Sequence, residues 1–286
     1  MIAAAVAATA LLTSSPPPVD RAAGRRGAMF LAAQQPGSEL GVEADTVLAL
    51  VAAGIAPGSH LARLRSLVPD GTQAPGPAAK AALAAVAVGA DPRCFAGVDL
   101  VARIRAGYGD GVYGATVFDD SLAIEALAGA DEPVPHAALT ALRRLRGQGG
   151  YGLSLTGGGS DDADTTGLAL MALRAAGAPR RDAAVRGAVR WLLGQRLPGA
   201  GWAGAAGTST VSNSTGLVLR GLSAAGVGWP SGAAPALRKL QGSDGGFDAT
   251  AGAPGSRLLA TLDSVPALYG RPLPLVQRTT PGRPCR

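Results

Sequence analysis

Two carboxylates and two hydroxyls crowd the run Asp162-Ala163-Asp164-Thr165-Thr166-Gly167, and Asn213-Ser214-Thr215-Gly216 repeats its ending. Gly167 and Gly216 lie 49 residues apart, as do Gly177 and Gly226, which close the apolar stretches that follow. Short oxygen-bearing side chains accept hydrogen bonds from free backbone N–H groups, so both runs read first as helix starts. Other chemistry-bearing residues are sparse. His60 and His136 are the only imidazoles and lie far apart, which suits structural or surface roles. Gly157-Gly158-Gly159 follows no strand and lacks the Lys-Ser/Thr of a phosphate loop, so it reads as a turn. Arg143, Arg144 and Arg146 could hold a diphosphate, but their spacing also suits an exposed helix face.

The elements that position these residues come from repetition. Self-similarity at a fixed period marks a repeat architecture. About six units follow the Pro-rich segment that ends near Pro18, each reading as helix, Gly-rich turn, helix. A Gly-aromatic or Gly-x-aromatic step recurs at Tyr113, Tyr151, Trp202 and Phe247. Thr165-Thr166 and Ser214-Thr215 fall where helix caps belong, and glycine closes the second helix of each unit. Val and Ile never alternate with polar residues in strand fashion, so the chain is expected to be almost entirely helical.

Alanine dominates a hydrophobic fraction of 47%, and aromatics reach only 4% of the 286 residues. The net charge of +6 comes from scattered arginines with no aromatic-basic cluster, which argues against a nucleic-acid partner. Ile2 to Leu12 resembles a signal-peptide core in length, although no basic residue precedes it. The expected organisation is an export segment and linker over 1–20, one domain over 21–270 and a tail over 271–286, in a secreted or cell-envelope protein. Two cysteines fit that compartment, and a disulfide between Cys94 and Cys285 would pin the tail. Apart from the export segment, no apolar segment reaches 18 residues without charge or helix breakers, so no integral membrane span is expected.

Arg186-Gly187, Trp191-Leu192, Gln195 and Gly201-Trp202, with Arg26-Gly27, Phe30-Leu31 and Gln34, resemble the QW repeat of squalene–hopene and oxidosqualene cyclases. The chain thus resembles the terpenoid cyclase/protein prenyltransferase superfamily over about residues 22–270. The resemblance implies an all-α (α/α)6 toroid, with inner and outer helices alternating around a funnel. Class II terpene cyclases protonate an alkene with the central Asp of an Asp-x-Asp-Asp-Thr-Ala motif. Asp162-Ala163-Asp164-Thr165-Thr166-Gly167 aligns with it, keeping the first and central Asp while Thr165 and Gly167 replace the third Asp and the Ala. Asp164 would be the acid and Asp162 its assistant. An Asp with an ordinary pKa of about 3.9 would be ionised, so the role needs a dry pocket.

The other branches make different demands. Zinc prenyltransferases need an Asp two residues before a Cys, and Asp91-Pro92-Arg93-Cys94 breaks that spacing, so no metal is expected. Intrinsic factor and transcobalamin carry a single ring of similar length with similar Ser/Thr-Thr-Gly helix starts, and hold a corrinoid. The eleven aromatics, six of them in recurrent repeat slots, look too few to line a cyclisation cavity. The sequence is therefore read as a non-catalytic ring with no certain cofactor, corrinoid being a possible ligand. It would bind a bulky small molecule at a mouth bearing Tyr151, Asp162, Asp164, Thr165, Thr166, Trp202, Asn213, Ser214 and Thr215, or an envelope protein. The alternative is a class II cyclase-like enzyme using Asp164.

Overall fold

Along every second helix small and apolar residues run almost without interruption, a pattern stable only when the helix is surrounded on all sides. The computed structural model, which describes residues 19–156, 160–204 and 207–276, places the helices accordingly. The outer helices are α1 (Arg21–Ala32), α3 (Gly58–Gly71), α5 (Leu100–Ala106), α7 (His136–Arg144), α9 (Ala183–Gly194) and α11 (Ala233–Arg238). The inner helices are α2 (Leu40–Ala52), α4 (Pro75–Ala87), α6 (Val117–Gly129), α8 (Ala163–Ala175), α10 (Ser212–Ala224) and α12 (Arg257–Leu268). α7 buries only Ala138 and Leu142, whereas α4 buries all but three of its thirteen residues.

Each inner helix packs on the next, α2 on α4, α4 on α6 and so on to α12, which returns to α2. Six hairpins therefore close a ring, the expected (α/α)6 toroid. Among the described residues, paired strands are limited to β1 (Tyr108–Gly109) against β2 (Val112–Tyr113). Glycine sets the spacing where the ring is tightest. A Cβ on Gly167 would lie 2.7 Å from the Leu217 carbonyl oxygen, and one on Gly216 would lie 2.6 Å from that of Asp263. Backbone thus meets backbone between α8, α10 and α12, and any side chain there would push the helices apart.

The repeated Thr has a different task from the expected one. Asp162 caps α8, accepting from Thr165 N at 2.7 Å, while Val211 at the head of α10 offers no side-chain cap. Thr165, Thr166, Ser214 and Thr215 lie inside the helices rather than at their caps. Thr166 Oγ1 accepts from Tyr151 N at 2.8 Å, and Thr215 Oγ1 accepts from Trp202 N at 3.0 Å. Thr261 does the same for Phe247 N at 2.9 Å, and Asp120 for Tyr113 N at 2.8 Å. The first turn of an inner helix thereby fastens the loop that delivers each aromatic ring into the core. Each of these bonds satisfies a buried N–H that would otherwise be costly.

Outer elements are tied by ion pairs. Arg143 on α7 donates to Asp182 Oδ2 through Nε at 3.0 Å and Nη2 at 2.8 Å, and Arg146 Nη1 donates to the Ala183 carbonyl. Arg143 and Arg146, two of the three arginines considered for a diphosphate, thus hold the end of α7 to the start of α9. His60 is buried, with Nδ1 2.9 Å from Glu43 Oε2. Cys94 is disulfide-bonded, while Cys285 lies outside the described residues, as do the export segment through Pro18 and Gly157-Gly158-Gly159.

Candidate active site at the ring mouth

First-turn residues of three inner helices share one cleft: Leu40 and Gly41 of α2, Gly76 and Pro77 of α4, Phe118 and Asp119 of α6. The cleft has a volume of about 690 Å³, within the range of small-molecule sites, and Leu67 and Leu122 add to its apolar wall. Lys80 lies at its inner side. On the neighbouring helices α8 and α10, Asp164 and Ser214 occupy the corresponding first turns.

Below the mouth the inner helices bring charges together across the axis. Lys80 on α4 pairs with Asp45 on α2, and Arg220 Nη1 on α10 lies 3.2 Å from Asp263 Oδ1 on α12. Lys80 also lies within electrostatic reach of Asp263, Glu125 on α6 within that of Arg220, and Asp164 within that of Asp263. These helices are not neighbours in the ring, except for pairs such as α2 with α4, so the groups meet at its centre. Asp45, Lys80 and Asp263 keep 31%, 24% and 28% of their side chains accessible, although protein surrounds them. They are therefore only partly buried, and Lys80 also lines the cleft.

Three carboxyls here are displaced from their ordinary behaviour. Burial raises Asp164, the charge of Asp162 raises it further, and the nearby Ser214 hydroxyl pulls it back towards the charged form. Asp164 Oδ1 and Ser214 Oγ are both enclosed without a completed hydrogen bond among the described residues. Burial also pushes the Asp263 carboxyl up to about 7, with Arg220 opposing, and drives the fully buried Glu125 well above the carboxylate range. Burial of this kind favours the neutral form of a carboxyl.

The nine residues expected at the mouth divide. Tyr151, Trp202, Thr165, Thr166, Ser214 and Thr215 are buried, and Tyr151, Trp202, Thr166 and Thr215 are engaged in the loop-fastening bonds. Asp162, Asp164 and Asn213 retain accessible surface. Asp45, Lys80, Glu125, Arg220 and Asp263 were not anticipated. A signal was available for some: Lys80 and Arg220 are each the sole charged residue of their helix, where a charge has no reason to be unless it faces a partner.

No family model and no curated protein sequence matches the chain. Solved structures do. The type II terpene cyclase MstE from Scytonema superposes with a TM-score of 0.64 at 15% identity, covering 87% of this chain and 97% of that one. A variant of MstE in complex with its substrate geranylgeranyl dihydroxybenzoate gives the same TM-score and identity, over 87% and 96% of the two chains. Another, in complex with the product merosterolic acid A, gives a TM-score of 0.63 at 16% identity over the same shares. A protein from Actinoplanes matches with a TM-score of 0.64 at 16% identity, over 88% of this chain and 99% of that one. The fold is thus the αα-toroid of the type II terpene cyclases.

This likeness corrects the expectation of a ring that is not an enzyme. A single ring of this length binds and converts a bulky isoprenoid in MstE, so one-ring size carries no implication of a merely binding role. Among the described residues no helix is long and apolar enough to cross a membrane.

Proposed function

We propose that the chain is an enzyme that cyclises an isoprenoid by protonating an alkene, with Asp164 as the general acid. The observation that carries this reading is the Asp164 carboxyl itself: raised by burial, enclosed at Oδ1 beside the Ser214 hydroxyl, and set at the inner-helix start of a fold whose solved neighbours include type II terpene cyclases. Asp162 supports it. Its carboxylate accepts from Thr165 N at 2.7 Å and from Thr165 Oγ1 at 2.9 Å, and this bonded charge beside Asp164 disfavours a second ionisation. The cleft lined by Leu40, Leu67, Pro77, Phe118 and Leu122, formed by first turns of neighbouring inner helices though not by Asp164 itself, offers room for a prenyl chain. The expected export of the chain belongs to the same proposal, supported by the disulfide at Cys94.

The reaction is an isomerisation. The π electrons of a terminal alkene take the Asp164 proton, the resulting cation is attacked by a second alkene to close a ring, and loss of a proton from a carbon beside the final cation leaves a neutral isomer while solvent water reprotonates Asp164. The test is incubation in deuterated water with farnesol, geranylgeraniol, their diphosphates and geranylgeranyl dihydroxybenzoate, followed by mass spectrometry. A cyclic product carrying solvent deuterium is expected, lost by about 10²–10⁴-fold in Asp164→Asn. Undiminished conversion by a folded Asp164→Asn would refute the assignment.

A further inference from the structure

Isoprenoid substrates differ most in the charge of their head group, and the charges around the cleft bear on which head it takes. Glu39, Asp70 and Asp119 stand beside its apolar wall, and Lys80 is the one cation among the described residues lining it. Lys80 is already engaged: it pairs with Asp45 and lies within electrostatic reach of Asp263. Arg63 and Arg103 bond to backbone next to the cleft without lining it. Arg63 Nε donates to the Gly37 carbonyl at 2.7 Å, and Arg103 Nη1 and Nη2 donate to that of Pro69 at 3.1 Å. Asp119 is built into the wall. Its Oδ2 accepts from Thr116 Oγ1 at 2.8 Å, and its Oδ1 lies where a Cβ on Gly76 would collide with it. Helix starts ordinarily attract anions. Here α2 and α6 already present carboxylates at theirs, Glu39 at the N-cap and Asp119 in the first turn. The first turn of α4 carries Pro75 and Pro77, which have no N–H to offer.

Resting on the reading that this cleft receives the prenyl chain of the substrate, we propose that the substrate is a prenyl alcohol and that Glu39, Asp70 and Asp119 exclude prenyl diphosphates. The chain lies against Leu40, Leu67, Phe118 and Leu122, and the head hydroxyl donates to a carboxylate of the cleft. Glu39 and Asp70 are exposed and Asp119 is half-buried, so the carboxylates run from the rim into the wall. A diphosphate seated there would meet three carboxylates, and the one lysine already has a partner. Like charges brought together in this way select against the wrong ligand. The benzoate of geranylgeranyl dihydroxybenzoate, which MstE binds, would meet the same repulsion. The two toroids are therefore expected to differ in the head group they accept.

The test uses fully hydrogenated farnesol and its diphosphate, which have no alkene to protonate, so binding is read apart from turnover. Titration calorimetry on wild type is expected to give a dissociation constant for the alcohol about tenfold or more below that for the diphosphate. Added salt screens charge repulsion, so diphosphate binding should tighten with ionic strength while alcohol binding stays unchanged. In the triple variant Glu39→Gln, Asp70→Asn, Asp119→Asn the preference for the alcohol should shrink by about tenfold or more. A diphosphate that binds wild type as tightly as the alcohol, or that salt weakens, would overturn the proposal. So would an unchanged preference in the folded triple variant, or failure of the alcohol to bind wild type. If the triple variant does not fold, the salt dependence on wild type decides. The expected preference together with no deuterated cyclic product from farnesol or geranylgeraniol would uphold the head-group assignment and remove that of Asp164 as acid.

Discussion

Replacing Asp120 by Asn is expected to stabilise the ring, and only at neutral and alkaline pH. Asp120 is fully buried on α6; its Oδ1 accepts from Tyr113 N at 2.8 Å, and its Oδ2 has no partner among the described residues. Burial pushes this carboxyl up from 3.8 to about 7, with the Tyr113 bond pulling the other way. The sign follows. Below 3.8 the group is neutral in both the folded and unfolded chain and contributes no pH dependence. Between 3.8 and about 7 the unfolded chain gives up the proton that the folded chain retains, so stability falls as pH rises. Above 7 the loss is complete, at roughly 4 kcal/mol on the scale of 1.36 kcal/mol per unit. Asn keeps an oxygen for Tyr113 but leaves a buried NH₂ without an acceptor, which costs about 1–3 kcal/mol at every pH. The variant should therefore be equal to or less stable than wild type at pH 4 and more stable by about 1–3 kcal/mol at pH 8. Urea denaturation at both pH values measures the difference, and Asp263, present in both proteins, cancels from it. A gap between the variants that does not change with pH would refute the claim that an ionised Asp120 is held in an uncompensating site.

The loop-fastening bonds and the glycine contacts give further tests. Thr215→Val keeps the shape but removes the acceptor for the buried Trp202 N–H, and should cost about 1–3 kcal/mol by chemical denaturation, with Thr215→Ser recovering most of it. Equal stability of Thr215→Val and wild type would show that the bond does not hold the loop. Gly216→Ala places a methyl 2.6 Å from the Asp263 carbonyl oxygen, forces α10 and α12 apart and should lower stability by about 1–3 kcal/mol. A melting temperature unchanged in Gly216→Ala would contradict the close approach of those helices.

The repeat was legible because it rests on local rules. Alanine-rich stretches ending at Gly177 and Gly226 can only be helices that stop at a left-handed residue, and the structure gives those glycines φ of 83° and 66°. About six such pairs mark a helical repeat before any contact is known, and the resemblance to the terpenoid cyclase superfamily implies that they close into a ring. The Thr-Gly pairs were visible too, but their meaning was not. Capping is a local bond that a sequence window can contain, whereas Thr166 and Thr215 bond to aromatic residues 15 and 13 positions earlier, and only the fold brings those together.

The candidate site divides along the same line. Local composition was enough to place Asp162 and Asp164 at the start of α8, since a capping carboxylate and its neighbour need only their own helix. Whether Asp164 could hold a proton depended on being enclosed beside Ser214, from another hairpin, and that was decided by closure of the ring. Asp45, Lys80, Glu125, Arg220 and Asp263 come from five separate inner helices and become one charged centre only when α12 meets α2. Periodicity decides which face of a helix turns inward. Long-range packing alone determines which charges then share the low-dielectric interior, and interaction there is strong enough to change their chemistry.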